Sequence, residues 1–172
     1  MFDRGILFVG SGGVGVGLLA EALALDAIKR LPEPMPVRVY SATLNESAEA
    51  DPVLLRAMRR LNLDTSASAL KPLALYGFAG APRIDHVIAL GTALPPAQKL
   101  ALGDGVDFRQ WSFNELKAVE KAPGETEGDR APGSRYLGYV SLAESLRQPI
   151  RTLMQDVTRL DGIDEHSLAE TG

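Results

Sequence analysis

Residues 10–17 read GSGGVGVG and directly follow the apolar run GILFV. A loop this free of side chains, set between a strand and a helix, offers backbone amides rather than functional groups. Amides at a helix N-terminus favour an anion. Three chemistries use such a loop. Gly10, Gly12 and Gly15 satisfy the spacing G-x-G-x-x-G of a dinucleotide site. That fingerprint also requires an acid at the end of the second strand to hold a ribose. Here that strand ends Val39-Tyr40-Ser41-Ala42, without one. A nucleoside-triphosphate loop ends Gly-Lys-Ser/Thr, which puts a cation on the terminal phosphates and a hydroxyl on magnesium. This loop ends Gly15-Val16-Gly17 and has no lysine. The third chemistry is a phosphate or other small anion held by Gly10, Ser11, Gly12, Gly13, Val14, Gly15, Val16 and Gly17. The alternative to all three is a tight turn that binds nothing, since glycine curls without strain.

Other groups add little chemistry. There is no cysteine, which excludes disulfides, cysteine-ligated metal and a thiol nucleophile. Ser11 is the only hydroxyl in the loop. An alcohol nucleophile needs a base beside it, and neither His86 nor His166 is near Ser11 in sequence. His86 falls inside an apolar strand, where it reads as a hydrogen-bonded histidine near the core. Trp111 reads as core. No metal ligand set and no catalytic residue emerges, and no cofactor is implied outside the dinucleotide alternative.

The elements that must position the loop follow from periodicity. Gly5–Val9 is a buried strand, and Leu18–Leu31 is a helix apolar on most faces. Val37–Ser41 alternates as a second strand. Asp51 and Pro52 cap and open a further helix, with Leu54, Ala57, Met58 and Leu61 on one face. Ile84–Leu90 and Val106–Trp111 read as third and fourth strands, with a short helix at Pro95–Leu102 between them. Residues 117–135 are charged and rich in Gly and Pro, which predicts a mobile loop. Ser141 and Glu144 suggest a capping box for a last helix, in which Pro149 marks a kink or a restart. The expected domain covers residues 1–160, followed by a frayed tail over 161–172. Strands alternating with helices imply a three-layer α/β sandwich with a four-stranded parallel sheet. Ligands then sit at the carboxyl ends of the strands, where the glycine loop lies.

The order of these elements resembles the low-molecular-weight protein tyrosine phosphatases and the related thioredoxin-coupled arsenate reductases. In that family a strand leads into a loop Cys-x5-Arg-Ser/Thr and then a helix reading Ala-Glu-Ala, as at Leu19-Ala20-Glu21-Ala22-Leu23. The second strand there commonly ends Ser-Ala-Gly-Thr, here Ser41-Ala42-Thr43. Further matches are Pro52, Leu61-Asn62-Leu63-Asp64-Thr65-Ser66, Lys71-Pro72-Leu73, Asp85-His86-Val87-Ile88 and Trp111-Ser112-Phe113. The likeness spans roughly residues 5–160. It also implies what is missing. The family's nucleophilic cysteine falls at Gly10, its oxyanion-clamping arginine at Val16, and the Ser/Thr that supports the thiolate at Gly17. The acid loop reads Asn114-Glu115-Leu116 where the family has Asp-Pro, so Glu115 alone could stand in for the leaving-group acid. The reductases' second cysteine falls at Gly91.

The resemblance therefore implies a catalytically inactive phosphatase-like protein, acting as a weak phosphate- or anion-binding or regulatory protein-binding module. A nucleotide enzyme using NAD or FAD, and a structural homo-oligomer without ligand, are the alternatives. A protein partner or a homodimer fits the first and last of these. The net charge of −4 weighs against nucleic acid and anionic membranes. The lack of a membrane span, of cysteine and of a signal-peptide pattern at the N-terminus makes the cytoplasm the expected location.

Overall fold

A computed structural model describes residues 4–10, 15–44, 48–66, 69–91, 93–119 and 133–169. Strands β1 (Arg4–Gly10), β2 (Val37–Thr43), β5 (His86–Leu90) and β6 (Asp107–Trp111) form one sheet in the order β2-β1-β5-β6. All its neighbours run parallel. A separate two-stranded antiparallel pair joins β3 (Ala48–Glu49) to β4 (Ala69–Leu70). Among the described residues five α-helices complete the order: α1 (Val16–Lys29), α2 (Pro52–Arg60), α3 (Pro96–Ala101), α4 (Glu115–Val119) and α5 (Ser134–Ala169). A 3₁₀ turn over Leu73–Tyr76 lies between β4 and β5. The four-stranded parallel sheet predicted from the alternation of strands and helices is thus present.

Alternation along the strands sends successive side chains to opposite faces. Ile6, Phe8, Ile88 and Leu90 enter a core with Leu19, Leu142, Leu146 and Leu153 of α1 and α5. Leu7, Val9, Val87 and Ala89 face the other way, against Leu73, Tyr76 and Ile84. Both faces of β1 are buried, which is why its sequence reads as an unbroken apolar run. The two cores are unequal: α1, α2 and α5 cover the first, whereas the second is closed by the 3₁₀ turn and connecting segments.

Asp51 caps α2 as its position before Pro52 predicts, accepting a hydrogen bond from the Val53 amide at 3.0 Å. Asn62 takes a left-handed φ of 57° just past the end of that helix, a conformation asparagine tolerates better than most residues. Asp51 is more than a cap. Its Oδ2 accepts the Tyr139 hydroxyl at 2.8 Å and pairs with the Arg135 guanidinium.

That cluster explains the clearest departure from the sequence expectation. Helix α5 starts at Ser134, directly after Gly133 at φ 79°, so Ser141 and Glu144 are interior residues and no capping box forms there. The turns before Ser141 are fixed by Arg135 and Tyr139 closing on Asp51, a tertiary contact that local spacing does not record. Of the stretch predicted as a mobile loop, Lys117–Val119 belong to α4 and Ser134–Arg135 to α5; residues 120–132 lie outside the described residues. Pro149 neither ends α5 nor restarts it. Lacking an amide hydrogen, it leaves the Ser145 carbonyl without its usual helical partner. The helix continues to Ala169, through the start of the stretch expected to be a frayed tail.

One glycine sets the lower edge of the sheet. A β-carbon on Gly5 would sit 1.9 Å from the Arg83 carbonyl oxygen. Here the Gly5 amide donates to Asp85 Oδ2 at 2.9 Å, and the Asp85 amide donates back to the Gly5 carbonyl at 2.8 Å. Gly5→Ala must push the two segments apart and should cost about 2 kcal/mol or more in urea unfolding. A loss below about 0.5 kcal/mol, the scale of an innocuous surface change, would mean the chains do not approach this closely.

Candidate functional site

The glycine loop leaves β1 at Gly10 and enters α1 at Val16. Ser11, Gly12, Gly13 and Val14 lie outside the described residues; Gly10, Gly15, Val16 and Gly17 are within them. Gly15 is the N-cap of α1, at φ 90°, and no side chain caps the helix. The conformation and the space both call for glycine, because a β-carbon there would meet Leu54 Cδ2 at 2.9 Å. The first turn of α1 carries no acidic residue. Its amides lack intrahelical acceptors and present the positive end of the helix.

Gly10 and Gly17 lie against each other. A β-carbon on Gly10 would come within 3.0 Å of the Gly17 nitrogen. One on Gly17 would come within 3.0 Å of the Phe8 carbonyl oxygen and 3.1 Å of the Ala42 carbonyl oxygen. The first turn of α1 is therefore seated on the ends of β1 and β2, backbone on backbone. The crevice left beside it, between Gly15, Val16 and Gly17 on one wall and Ser41, Thr43 and Lys71 on the other, measures about 10 Å³. That is about the least space that holds one water.

The second wall contains polar groups. The Ser41 hydroxyl donates a very short hydrogen bond to Glu21 Oε2, from the second turn of α1. The Tyr76 hydroxyl donates to the Ser41 carbonyl at 3.2 Å, and its ring packs on Tyr40 at 5.8 Å. Burial raises the pKa of Glu21, opposed by the Ser41 hydrogen bond and by the positive charge of Lys71. Burial, with the nearby Glu21 and Tyr40, pushes the Tyr76 phenol up to about 12. Lys71 thus stands within electrostatic reach of Glu21 and also lines the crevice. It is held there by its backbone: the Thr43 amide donates to the Lys71 carbonyl at 2.8 Å, and Pro72 bridges to Thr43. Lys71 is known from the sequence only as part of Lys-Pro-Leu. Nothing in its spacing places it opposite the glycine loop; the β3–β4 pairing and the Thr43 bond do that.

The remaining candidates lie elsewhere. Glu115 begins α4 and accepts the Ser145 hydroxyl of α5 at 2.7 Å. That hydrogen bond lowers its pKa, the opposite of what a proton donor needs, and Glu115 is not among the described residues lining the crevice. His86 is buried at the start of β5, opposite Ile6 in register. At about 3.3 Å per residue it lies roughly 13 Å along β1 from Gly10. Its Nδ1 lies 3.2 Å from Asp107 Oδ2, and Asp107 also accepts Arg109 Nε at 2.9 Å. Burial pushes the Asp107 carboxyl up, but the His86 and Arg109 hydrogen bonds and charges outweigh it and hold the pKa down. Trp111 packs against Phe8 at 6.1 Å and Phe113 at 6.5 Å, as a core residue does. His166 falls near the end of α5. Among the described residues no group of three or more His, Asp or Glu is arranged to hold a metal ion, and no helix is long and apolar enough to cross a membrane.

No protein-family model and no curated protein matches the chain. Solved structures do. A thioredoxin-dependent arsenate reductase of Corynebacterium glutamicum superposes with a TM-score of 0.55 at 17% identity, over 91% of this chain and 63% of its own. This chain therefore spans less than two thirds of that enzyme's length. An arsenate reductase in the phosphate-binding state gives 0.56 at 19%, over 89% of this chain and 98% of its own. The YwlE arginine phosphatase, in a mutant form with a phosphorylated active-site serine, gives 0.57 at 19%, over 90% and 96%. The fold expected from the order of short motifs is the fold found. These structures share that fold with the chain, and at such identities they establish nothing more.

Two measurements check the geometry. Replacing a glycine inside a helix by alanine ordinarily adds about 1 kcal/mol. Gly17→Ala should instead destabilise, by about 1–3 kcal/mol, because backbone oxygens meet the new methyl. A gain in stability would place α1 farther from the sheet. For Glu21, a raised folded pKa means a contribution that is present below the ordinary glutamate value and fades as pH rises through the folded value. Glu21→Gln keeps a neutral acceptor for Ser41, so its melting temperature should gain on the wild type between about pH 4 and pH 7. A difference that stays flat over that range would show that burial of Glu21 carries no such penalty.

Proposed function

We propose that this chain is a catalytically silent protein on the phosphatase and arsenate reductase fold, whose glycine-loop end recognises a small anion weakly instead of transforming it. The observation that carries this is the contact of Gly10 with Gly17. Where the resembling family places a nucleophile and the residue that supports it, this chain has two glycines with almost no space for a β-carbon between them. No cysteine exists elsewhere to substitute, and loss of a nucleophile and its clamp costs several powers of ten in rate.

What supports anion recognition is the uncapped positive end of α1 facing Lys71. A solved reductase of this fold is described in a phosphate-binding state. The crevice is too narrow to enclose a phosphate. The anion would sit at its mouth, on first-turn amides with one ammonium beside it. Apolar Val16 and Leu18 at the rim offer it no further donor, and the desolvation cost is repaid only in part. Binding in the millimolar range follows.

The purified chain should show no turnover of p-nitrophenyl phosphate or, with thioredoxin, of arsenate. Inorganic phosphate at high millimolar concentration should raise its melting temperature by mass action, and Lys71→Ala should remove most of that rise, measured against the variant's own phosphate-free melting temperature, since losing the Lys71 charge also leaves Glu21 less compensated. No rise with phosphate would leave the loop as a bare turn. A rise with NAD or FAD in its place would overturn the reading in favour of a nucleotide enzyme.

A further inference from the structure

A second surface lies away from the glycine loop, along α5. Between the C-terminal half of α1, the proline-rich connection 31–36 and α5 runs a groove of about 1000 Å³. Its floor is apolar: Leu23, Ile150 and Met154 line it and are themselves nearly inaccessible, and Leu31 stands exposed at its edge. Its rim is basic. Arg30, Arg147, Arg151 and Arg159 line it, against Asp26 and Glu33. Arg30 is engaged with Asp26 at 3.0 Å and Arg147 loosely with Glu144 at 3.6 Å. Neither Arg151 nor Arg159 has an ion-pair partner among the described residues. On a chain of net charge −4, this is a local positive patch over an apolar floor.

The same helix carries the complementary charge. The last buried residue of α5 among those described is Val157, yet the helix runs to Ala169, about 18 Å farther at 1.5 Å per residue. Beyond Leu160 the sequence holds Asp161, Asp164, Glu165 and Glu170 and no lysine or arginine. Because α5 is continuous, this end cannot fold back onto the groove whose wall it prolongs. It can only reach the groove of another copy.

The helical register fits that arrangement. Arg147, Arg151, Met154 and Thr158 follow one another at spacings of four and three along the groove, and the same register continues to Asp161 and Glu165. These positions are symmetric about residue 156. An antiparallel pair of α5 helices related by a two-fold axis there sets position 147 opposite the partner's position 165, and 151 opposite 161. Positions 154 and 158 then meet at the centre. Each basic position faces an acidic one, twice over, which is the self-complementarity an isologous interface requires.

We infer that the α1–α5 groove is the seat of a second copy of this chain, and that the protein forms a two-fold dimer through antiparallel α5 helices, with the acidic end of each helix on the arginine rim of the other. The dimer does not depend on anion recognition at the glycine loop.

Sedimentation equilibrium of the full-length chain, from low to high micromolar concentration, tests it. The wild type should dimerise, more weakly as salt rises. Arg151→Glu and Asp161→Arg should each weaken the dimer by at least about tenfold, since the two-fold axis counts each change twice. The double variant, which swaps the charges, should recover most of the loss. Arg151 is exposed on α5, and circular dichroism with thermal melts should show each variant folded as the wild type. A wild type that stays monomeric at every concentration, whether or not it takes up an added oligoglutamate peptide, overturns the inference. So does a dimer unaffected by either single variant, or a double variant no tighter than the singles.

Discussion

The seating of α1 on the ends of β1 and β2 constrains everything around the loop. Gly17 touches the carbonyls of Phe8 and Ala42, and Gly10 touches the Gly17 nitrogen. Backbone meets backbone there, with no side chain between. Gly15 must then turn the chain at positive φ while leaving room for Leu54 and Leu70, which binds the loop to α2 and β4. A residue with a β-carbon at 10 or 17 would lift the first turn off the sheet, and with it the buried Leu19 and Leu23 that join α1 to the main core. Close packing of this kind is compatible with a stable fold and leaves little space for a side chain at position 10 or 17.

Asp51 links that seat to the far end of the chain. It caps α2, takes the Tyr139 hydroxyl and pairs with Arg135, so the entry of α2 and the first turn of α5 share one carboxylate. Alone, Arg135 and Tyr139 on an exposed helix would bring little order. Buried against an acid that already serves as a cap, they extend α5 upstream. The groove along α5 rests on this, because the helix that forms its wall is held at its start as well as by its core residues from Leu142 to Val157.

These two contacts also account for what was and was not legible in the sequence. The four sheet strands, α1 and α2 show in their apolar runs and stripes, because burial of those residues is what forms them; α3 buries no residue and shows only in the prolines at its start. Asp51 before Pro52 announces a cap because capping is local. The shared order of short motifs gives the fold without any one motif being specific. What stayed hidden was fixed at long range. Ser141 and Glu144 have the spacing of a capping box, but Arg135 and Tyr139 had already extended the helix. The strands β3 and β4 are two residues each, too short to carry a period. Glu115 has the right residue type in a suggestive place, yet its partner is Ser145, thirty residues away. Lys71, which lines the crevice, is brought there by a backbone bond to Thr43.

Charge is distributed in the same spirit. A parallel sheet gathers the positive ends of its helices at the carboxyl ends of its strands, and an enzyme of this architecture would concentrate side-chain chemistry there. Among the described residues around the crevice, that end offers one lysine, the hydroxyls of Ser41 and Thr43, and a glutamate whose charge burial disfavours. Arg147, Arg151 and Arg159 lie along the groove side of α5, and the sequence of its far end is acidic. Glycine at the loop and arginine on the helix are then two sides of one allocation. Where it is described, the sheet end is given over to backbone packing, and the groove face of α5 carries arginines. Since a helix wall repeats every turn, it suits recognition of another helix by register, which a crevice with space for one water does not offer.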